Sequence, residues 1–457
     1  MASNFSGLST ALTALTANRR ALDVAAQNIA NANTPGYSRQ RADLVSLGGT
    51  AVPALWSAYR GPGDGVMVAD ISRLRDAFLD ARNHSERAAS GYLNNEHQLY
   101  GQLEQLVSEP GDQGLQAQLA DMWGAWEDVG NNPGDLATRN ALLRQAATTA
   151  NSLNSRHNGL DTLFTATRDQ LEALTADVNA TGAQIAHLNQ AVVRASGAGV
   201  SANELADQRD QLVLHLADLT GARALRQDNG AVDVLLGGAA LVSGQTVRNL
   251  TVTGARALDN QASSPVGLQW QDTGTPAILP SGQVSSVLHS LTTTVPYYSA
   301  QLDQIAATLA NSVNTQHGAG YDLSGTAGGP FFTGSTAGAI RVAITDPALV
   351  AAASTPGASR DGGNADAMAG LVSLPGGADL TYRQLVANLG VITASVNQRA
   401  AVQASLSETA AAGVAAVSGV SLDEEMTNML MYQRGYEAAA RVVSTVDSML
   451  GTLINMI

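Results

Sequence analysis

The chain has 457 residues and a formal net charge of −14, with 39 acidic residues against 25 basic ones. A surface this acidic repels phosphate backbones and anionic lipids, which disfavours nucleic acids and membrane surfaces as partners. Cysteine is absent and all 25 basic residues are arginine, so thiol chemistry, disulfides, cysteine metal sites and lysine-dependent nucleotide or Schiff-base sites are excluded.

The N-terminal segment predicts a helix with a narrow apolar line along one side. Its large apolar residues recur at heptad spacing on two adjoining lines, formed by Leu8, Leu15, Leu22 and Ile29 and by Phe5 and Leu12. A turn at Asn33, Thr34, Pro35 and Gly36 then ends the helix, because proline restricts the residue before it and donates no backbone hydrogen bond.

The segment also lacks the features of a cleavable signal peptide, which needs a basic start followed by an apolar stretch. No apolar run anywhere in the sequence approaches the ~20 residues that span a bilayer. If the protein leaves the cell, we expect a route without signal cleavage and no membrane insertion.

The central part of the sequence predicts a helical bundle with β-rich interruptions, and a chain of this length predicts several compact units. Apolar residues keep helical spacing over residues 71–106, 115–129, 136–193, 203–219, 284–313 and 382–417. Residues 222–271 instead alternate short apolar runs with hairpin turn signals such as Asp228-Asn229-Gly230. Glycine, serine, threonine and proline dominate residues 318–377, which predicts a second β-rich or loop-rich insert.

The C-terminal segment mirrors the first one. Its apolar residues recur every seven positions at Leu422, Met429, Tyr436, Val443, Leu450 and Ile457, with Met426 and Ile454 on a companion line. Ser421, followed three residues later by Glu424, is typical of a capped helix start. Both ends of the chain are therefore predicted to be helices with an apolar seam.

Two arrangements of these terminal helices remain open on composition alone. A helix with one narrow apolar seam gains little by itself, since nucleation is unfavourable and the seam stays hydrated without a partner. Pairing the two ends with each other would cover both seams, because loop closure over a long chain costs only slowly more with length. Alternatively, both helices complete the same bundle as the central ones.

The candidate chemical motifs point to no active site, metal or cofactor. Gly197 to Ala202 fits a dinucleotide fingerprint in spacing, but helix-like sequence precedes it where a strand is required, so we interpret it as a linker. The seven histidines never form the i, i+4 pair of a helical zinc site. Glu424 and Glu425 lie at a helix start, where the helix dipole stabilises them. We therefore expect a protein without enzymatic activity.

Four segments carry a resemblance to a known family. Residues 28–40 resemble the signature of flagellar rod, hook and hook-associated proteins, through Asn28, Asn31, Asn33, Thr34, Pro35, Gly36 and Tyr37. Residues 418–436 are similar to the C-terminal signature of the same proteins. Residues 313–332 resemble a stretch of the first hook-associated protein family, through Asn314, His317, Asp322, Phe331 and Phe332, and residues 203–210 add a fourth similarity.

The resemblance implies a structural subunit that joins hook to filament and polymerises through its terminal helices. It also implies export through the flagellar type III channel, an export chaperone at the C-terminus and an extracellular location at the hook–filament junction. The implied partners are other copies in a helical ring at the hook tip, the hook protein and a second hook-associated junction protein. One departure is Gly435, which stands where the family commonly has alanine.

The predicted fold class is mainly α with β-rich inserts, combining paired terminal coiled-coil helices, a long-helix bundle and small outer β domains. We expect residues 1–60 and 420–457 to form the terminal domain, and residues 61–221, 282–317 and 380–419 to form the bundle. Residues 222–281 and 318–379 are expected to form the outer domain. A hook or rod subunit, a secreted coiled-coil adhesin or effector, and a hydrolase carried in the outer insert are the alternatives considered.

Overall fold

The computed structural model describes residues 2–48 and 63–455, and the side chains of residues 2–6, 453 and 454 lie outside that description. Within these limits the chain is mainly helical, which confirms the predicted fold class. The α-helices are α1 (Ala2–Ala30), α2 (Ala77–Val107), α3 (Leu115–Asn131), α4 (Leu136–Gly197), α5 (Asn203–Thr220), α6 (Gln283–His289), α7 (Val295–Gly318), α8 (Gly363–Ala369), α9 (Ala378–Ser418) and α10 (Leu422–Asn455).

Short antiparallel strands form the small sheets. These are a hairpin of β1 (Gln40–Leu47) and β2 (Gly65–Arg73), a four-stranded sheet of β3 (Arg223–Arg226), β4 (Val232–Leu236), β5 (Ala239–Ser243) and β6 (Thr246–Val247), and the pairs β7 (Leu250–Thr253) with β8 (Gly267–Trp270) and β9 (Phe332–Thr333) with β10 (Arg341–Val342). Every strand pairs with a neighbour in sequence, so the sheets need no crossover connections.

The main hydrophobic core follows α4, the longest helix. Its buried apolar side chains extend from Leu142 to Val192 mainly at steps of three, four and seven residues, so one side stays apolar along the helix. The carboxylate of Asp135 starts the helix by accepting hydrogen bonds from the amides of Ala137 and Thr138, at 3.2 and 3.1 Å. A cap of this kind stabilises a helix by about 1 kcal/mol.

The predicted apolar row from residue 284 to 313 lies on α6 and α7 and on the π-helical turn Ser290–Thr294 that joins them. Leu288 is half-buried and the other residues of the row are buried in the core. Pro296 lies in the first turn of α7, directly after the π-helical turn, and the backbone at Thr294 and Val295 stays helical. The π-helical turn thus accommodates the proline, which does not interrupt the row.

Residues 222–281 form the β-rich insert that the sequence predicts. In β4 the buried residues Val232, Val234 and Leu236 alternate with half-buried ones, as in a strand that packs one face on a core. Gly237 and Gly238 turn the chain into β5 with φ values of 55° and 91°. Two consecutive positive φ values are typical of the type I′ hairpin turn.

Of the two forms predicted for segment 318–379, β-rich or loop-rich, the structure shows the loop-rich one. Its strands β9 and β10 have two residues each, and the rest consists of loops, α8 and short 3-10 helices. These elements pack on α3, α4 and α7. The glycine and serine content that suggested strands marks a chain of turns instead, and this segment belongs with the bundle.

The two ends of the chain form a unit separate from the main core, here called the terminal unit. α1 and α10 run antiparallel along each other, and the β1–β2 hairpin packs on another side of α1. Its small core contains Ala21, Val24 and Ala42. The sequence analysis missed this hairpin, and the predicted boundary after residue 60 separates β2 from the helix on which it packs.

Candidate assembly interface

The buried side of α1 is lined by small residues. Ala11, Ala17, Ala21 and Ala25 are buried there. The heptad residues Leu8, Leu15, Leu22 and Ile29 are half-buried, and Leu12 is exposed. Small side chains let neighbouring elements approach closely, so α1 uses its alanines for contacts within the chain and keeps part of each leucine accessible.

α10 approaches α1 through a line of residues that contains Glu425, Tyr432, Gly435 and Ala439. A Cβ atom at Gly435 would lie 2.7 Å from Oδ1 of Asn18 on α1. The glycine that departs from the family pattern therefore permits the close approach of the two helices. Glycine inside a helix costs about 1 kcal/mol relative to alanine.

Of the predicted interface residues of α10, Val443 and Leu450 continue this line at steps of four and seven residues, and the others lie beside it. Leu422, Met426 and Tyr436 are exposed, whereas Met429, Val443 and Leu450 are half-buried. The sequence analysis missed further exposed apolar residues on the same helix, which are Leu430, Met431, Val442 and Met449. The side chains of Phe5 and Ile454, and all of Ile457, lie outside the described residues.

Asn28 joins the first helix to the last one through a buried amide. The side chain is 1% exposed, and its Nδ2 donates to the carbonyl of Gln40 at 2.8 Å and to Oε2 of Glu425 at 3.0 Å. Its Oδ1 accepts from the hydroxyl of Tyr37 at 2.8 Å and from the amide of Gln40 at 2.9 Å. All four hydrogen-bonding positions of the amide are used, so this position requires asparagine.

Glu425 completes this arrangement from the α10 side. The residue is 2% exposed, and its Oε1 accepts from Nε of Arg39 at 2.7 Å. A second Arg39 nitrogen pairs with Glu424 at 2.6 Å. We call Asn28, Tyr37, Arg39 and Glu425 the clasp. Because a buried carboxylate is stable only when it is paired and hydrogen-bonded, the clasp fixes α10 against the chain that follows α1.

The environment of Tyr37 favours the protonated phenol. Burial, together with the carboxylates of Glu204, Asp207 and Glu425, raises the pKa of Tyr37 to about 12. The phenol is therefore neutral at physiological pH and can donate its hydrogen bond to Asn28.

The turn between Asn28 and Tyr37 presents the rest of the N-terminal motif at the surface. Asn33, Thr34 and Pro35 are exposed, and Asn31 braces the turn by accepting from the amide of Thr34 at 2.9 Å through its own carbonyl. Gly36 has φ +80°, and a Cβ there would lie 2.6 Å from the side chain of Gln211. The backbone conformation therefore favours glycine at this position, and a larger residue would also displace the Gln211 side chain of α5.

A group of charged residues, here called the joint, connects the terminal unit to the bundle. Arg73 at the end of β2 pairs with Asp207 and Asp210 of α5 at 2.7 and 3.0 Å. Arg75 pairs with Asp210 at 2.8 Å and with Asp80 of α2 at 2.7 Å. Although burial favours the neutral acid, the guanidinium groups of Arg73 and Arg75 lower the pKa of Asp210, which keeps the joint ionised.

The residues of the third motif lie in the bundle, away from the clasp. Asn314 donates to the carbonyl of Phe332 at 2.9 Å and accepts from the amides of Phe331 and Phe332 at 2.8 Å each. The carboxylate of Asp322 accepts from the amides of Ser324 and Thr326 at 2.8 and 2.9 Å. These side chains hold the loop after α7 against the bundle, and the structure does not bring them to the terminal interface.

His317 is the buried centre of that loop. Its Nε2 accepts from the amide of Ala351 at 2.9 Å, which assigns the ring proton to Nδ1 and its hydrogen bond to the carbonyl of Gly329 at 2.7 Å. Burial lowers the pKa of His317. A neutral histidine with both nitrogens engaged in backbone contacts orders a loop and has no free nitrogen for catalysis or metal binding.

Comparison with known proteins identifies the chain. The family model for the FlgK helical domain, from the flagellar hook-associated protein, matches residues 100–332. Flagellar hook-associated protein 1 of Bacillus subtilis is 30% identical, over 100% of this chain and 99% of the relative. The chain belongs to the flagellar hook-associated protein 1 (FlgK) family. It is a structural, axial component of the bacterial flagellum, in the family of hook–filament junction proteins.

Further similarities agree with membership of the FlgK family. Flagellar hook-associated protein 1 of Escherichia coli is 25% identical over 98% of this chain and 99% of the relative. The solved hook junction protein FlgK of Burkholderia pseudomallei covers 74% of this chain and 100% of its own with a TM-score of 0.65 and 16% identity, which supports the shared fold. The resemblance noted in the sequence is thereby confirmed.

Different family models match different parts of this FlgK family member. The terminal unit matches models of rod-type proteins, at residues 8–37 for the basal body rod protein and at residues 411–456 for the C-terminal part of the rod FlgEFG protein. The helical bundle matches the FlgK model. The bundle, rather than the two ends, distinguishes this chain from a hook or rod subunit.

Two further findings concern metal binding and membrane-spanning helices. Among the described residues, no group of three or more histidine, aspartate or glutamate side chains is arranged to hold a metal ion. None of the helices in the described part of the chain has the length and apolarity needed to cross a membrane.

Proposed function

We propose that this FlgK family member is built into the hook–filament junction by polymerising through its terminal unit. The observation that carries this proposal is the set of apolar side chains that α10 leaves exposed on both sides of its contact with α1. At 100° per residue from Ala439 in that contact, Leu422, Met426 and Leu430 follow one side of α10 round to its back, at roughly 100°, 140° and 180°. Met431, Val442 and Met449 lie on the other side, at roughly 60–80°.

Two regular apolar rows on one exposed helix favour a protein interface over a solvated surface. Full burial of such a side chain stabilises by roughly 1.5–3 kcal/mol, and these residues are already about half covered, so each new contact would contribute about 1 kcal/mol. Neighbouring terminal units that cover both rows would add several kcal/mol per copy. The single chain leaves that stabilisation unused.

The clasp and the joint give the interface a fixed geometry. The clasp holds α10 in register with α1. The joint holds both against α2 and α5 through four ion pairs, formed by Arg73 and Arg75 with Asp80, Asp207 and Asp210. An interface that must repeat around a ring or helix requires the same orientation in every copy. The buried polar residues of the family motif would provide that orientation.

The implied partners follow from this arrangement. We propose that copies of this chain contact each other through the terminal units, with the hook protein on one side of the ring and a second hook-associated junction protein on the other. Before assembly the exposed rows of α10 would need a cover, which fits an export chaperone at the C-terminus. The proposed location is extracellular, after export without signal cleavage.

The domains would then be arranged by distance from the axis of the flagellum. We propose that the terminal unit, with residues 1–60 and 420–457 and the strand β2, lies innermost. The bundle of residues 77–221 and 282–418 would surround it, and the β-rich insert of residues 222–281 would face solvent.

The double substitution Met426→Glu with Leu430→Glu tests the proposal. Both side chains are exposed in the single chain, so the free energy of unfolding of the monomer should change by no more than about 0.5 kcal/mol. Incorporation into hook structures, measured by immunoblot of purified hook–basal bodies in a deletion strain, should fall at least about tenfold, since burying two unpaired charges costs several kcal/mol.

The matched control is Thr427→Glu, which adds a charge to the same helix on the polar line of Arg434 and Arg441. This variant should incorporate normally. If the double variant assembles and supports swimming as well as the control does, the terminal interface as proposed is wrong.

A further inference from the structure

We propose that a cleft beside the joint binds a phosphate-class anion, which is either inorganic phosphate or the phosphate group of a small molecule. The cleft lies between the end of β2, the turn from α4 to α5 and the end of β3. Its volume of about 650 Å³ is within the range of roughly 300–1,000 Å³ that is typical of small-molecule sites. It is here called the anion cleft, and its wall includes Arg73, Arg75, Gly199, Asn203, Arg209 and Arg226.

The wall of the anion cleft carries an excess of positive charge. Four arginines line it, and among the described residues the only carboxylate in the lining is Asp70. The carboxylates that pair with these arginines at the joint, Asp80, Asp207 and Asp210, lie outside the lining. The chain as a whole has a net charge of −14, so a positive cleft is a local feature of this surface. Such a cleft concentrates anions.

Arg209 is buried in this wall without a close carboxylate partner. The residue is 2% exposed, and its Nη1 donates to the carbonyl of Gly230, which also lines the cleft, at 2.7 Å. Its Nη2 lies 3.5 Å from Asp210, and its Nε has no hydrogen-bond partner in the described part of the chain. Burial lowers the pKa of Arg209, and the cations of Arg73 and Arg226 lower it further. Because a buried cation is stable when it is paired, an anion in the cleft would stabilise Arg209.

The turn from α4 to α5 adds backbone donors to the cleft. It contains Gly197 to Ala202, the segment with the spacing of a dinucleotide fingerprint. The carbonyls of Ala195 and Ser196 at the end of α4 already accept from amides of the turn. By contrast, the first amides of α5 have no acceptor among the described residues, and Ala202 gives the helix no side-chain cap. Free amides at a helix N-terminus bind anions, and the helix dipole favours negative charge there.

Gly199 leaves room for a ligand next to these amides. Its φ is +70°, and a Cβ atom there would meet no atom within 4 Å, so the backbone of the turn borders open space in the cleft. Glu204, the acidic residue in the first turn of α5, lines a different cavity together with Tyr37. The cleft side of the helix start is therefore free of its own carboxylate.

The arrangement of the donors favours phosphate over a carboxylate. Arg73 lies on β2, the free amides on α5 and Arg226 on β3, so the donors come from different sides of the cleft. A phosphate group offers three strong acceptor oxygens that point in different directions, whereas a carboxylate offers two in one plane. Arginine also forms paired hydrogen bonds with phosphate. A tetrahedral anion can thus use more of these donors at the same time.

A bound phosphate group would connect the terminal unit to the bundle. Arg73 and Asp70 belong to β2 of the terminal unit, whereas Arg209 belongs to α5 of the bundle. A ligand that binds only the folded arrangement stabilises it. Hydrogen exchange in β2 and in the first turn of α5 should therefore slow when phosphate replaces chloride at the same ionic strength. Unchanged exchange in both segments would overturn the assignment of the site.

Isothermal titration calorimetry of the purified full-length chain tests the site directly. The ligands are sodium phosphate, adenosine monophosphate and sodium acetate, with sodium chloride added to keep the ionic strength constant. Phosphate should bind saturably with a dissociation constant below about 1 mM, since several charge-assisted hydrogen bonds converge on it. Similar binding of adenosine monophosphate supports a site for the free anion, and tighter binding supports a site for a phosphorylated small molecule.

Two other results of the titration would overturn the proposal. Phosphate that fails to saturate the chain shows only unspecific screening of charges. Tighter binding of acetate than of phosphate would point to the acidic side chain of another protein as the occupant. The titration uses the unassembled chain, so its result is independent of the test of the terminal interface.

Arg226→Gln locates the binding in the anion cleft. The Arg226 side chain is 52% exposed, so the variant should fold, and its affinity for phosphate should fall at least about tenfold. Arg223→Gln is the matched control, because it removes the same charge from the same strand at an exposed residue outside the lining. The control should retain its affinity within about twofold, since exposed charges are screened.

Val200→Glu tests the cleft without removing an arginine. Val200 lines the cleft and is 60% exposed, so the new carboxylate would lie at the edge of the cleft and repel the anion. The affinity for phosphate should again fall at least about tenfold, with the unfolding temperature in chloride unchanged. Equal affinities of Arg226→Gln and Arg223→Gln, or wild-type affinity in Val200→Glu, would overturn the proposal.

Discussion

The helical bundle and the terminal unit differ in what they bury. The bundle encloses Trp126, Phe164 and Phe331 completely in one continuous core. The terminal unit buries mainly alanine around a set of hydrogen-bonded polar groups, and leaves leucine and methionine side chains at its surface. A unit with so little apolar burial is marginal on its own. The bundle thus has the larger apolar core within the single chain, and the terminal unit is the part for which we propose stabilisation by neighbouring copies.

The largest effect on stability is expected in the bundle core. Phe331 packs against Trp126 and Phe332 with ring centroids 5.2 and 5.0 Å away, so Phe331→Ala should lower the free energy of unfolding by about 3–5 kcal/mol through cavity formation. Urea denaturation measures the change. Phe78→Ala is the control, since Phe78 is 74% exposed and its truncation should change stability by less than about 0.5 kcal/mol. Similar losses for both variants would contradict this account of the core.

A smaller loss, confined to the terminal unit, is expected from Glu425→Ala. The substitution leaves Nδ2 of Asn28 and Nε of Arg39 without this partner, which should cost about 2–3 kcal/mol of local stability. Hydrogen exchange measured by mass spectrometry should show faster exchange in α1 and α10 and unchanged exchange in α4. Glu437→Ala, at an exposed position of the same helix, should leave both regions unaffected. An equal increase in the exchange rate of α4 would show that the terminal unit and the bundle do not open independently.

Acid should destabilise the bundle through His317. Burial holds its folded-state pKa below the ordinary 6.5, so as pH falls below 6.5 the unfolded chain binds a proton before the folded one does. The contribution of neutral His317 to the free energy of unfolding is therefore fully present above pH 6.5. It is lost as the pH falls from 6.5 toward the folded-state pKa, by at most about 1.4 kcal/mol per pH unit. Urea midpoints at pH 7 and pH 5 measure the loss.

The matched variant for this prediction is His317→Asn, which retains a donor and an acceptor without a titrating ring. Its stability should depend less on pH over the same interval than that of the wild type. His84 at the joint also has a pKa lowered by burial. The pH dependence of the stability of His84→Asn therefore measures the same effect at the joint. An unchanged pH dependence in His317→Asn would exclude His317 as the source.

The smallest effect tests the close approach of α1 and α10. Gly435→Ala gains up to about 1 kcal/mol of helix propensity but places a methyl group against Asn18, so a net loss of pairing is expected. In the Asn18→Ala background the clash is removed and the same substitution should become stabilising. Hydrogen exchange of α10 in this double-mutant cycle measures the coupling. A stabilising effect in both backgrounds would mean that Gly435 has no packing role.

Most helices of the bundle could be predicted closely from the sequence, because large apolar residues at three- and four-residue spacing mark a buried helix side. The start predicted at residue 71 was wrong, since Ile71 lies in β2 and the helix α2 begins at Ala77. The stretch predicted for residues 203–219 corresponds to α5, and the row from Val284 to Val313 lies on α6, the π-helical turn and α7. These segments have strong contrast between apolar and polar sides, and that contrast is what periodicity detects.

The terminal unit was less predictable for a physical reason. Heptad leucines dominate the periodicity of α1, whereas its buried side is made of alanine, which carries little hydrophobic contrast. The β1–β2 hairpin escaped detection because most of its residues are only partly buried, so alternation is weak. The contacts of the clasp and the joint join residues far apart in sequence, and one sequence contains no signal of such pairs. Glu425 and Asp207 both lie in motifs noted at the outset, without a role that the sequence could assign.

The clasp has a consequence for the timing of folding during synthesis. Its partners Asn28 and Glu425 are 397 residues apart, so the ribosome makes α1 first and its partner helix last. The bundle can form from the residues between them, whereas α1 has no α10 to pair with until translation is nearly finished. A chain truncated before α10 would thus contain a folded bundle but could not pair α1 with α10. Only a chain translated as far as α10 can therefore form the clasp.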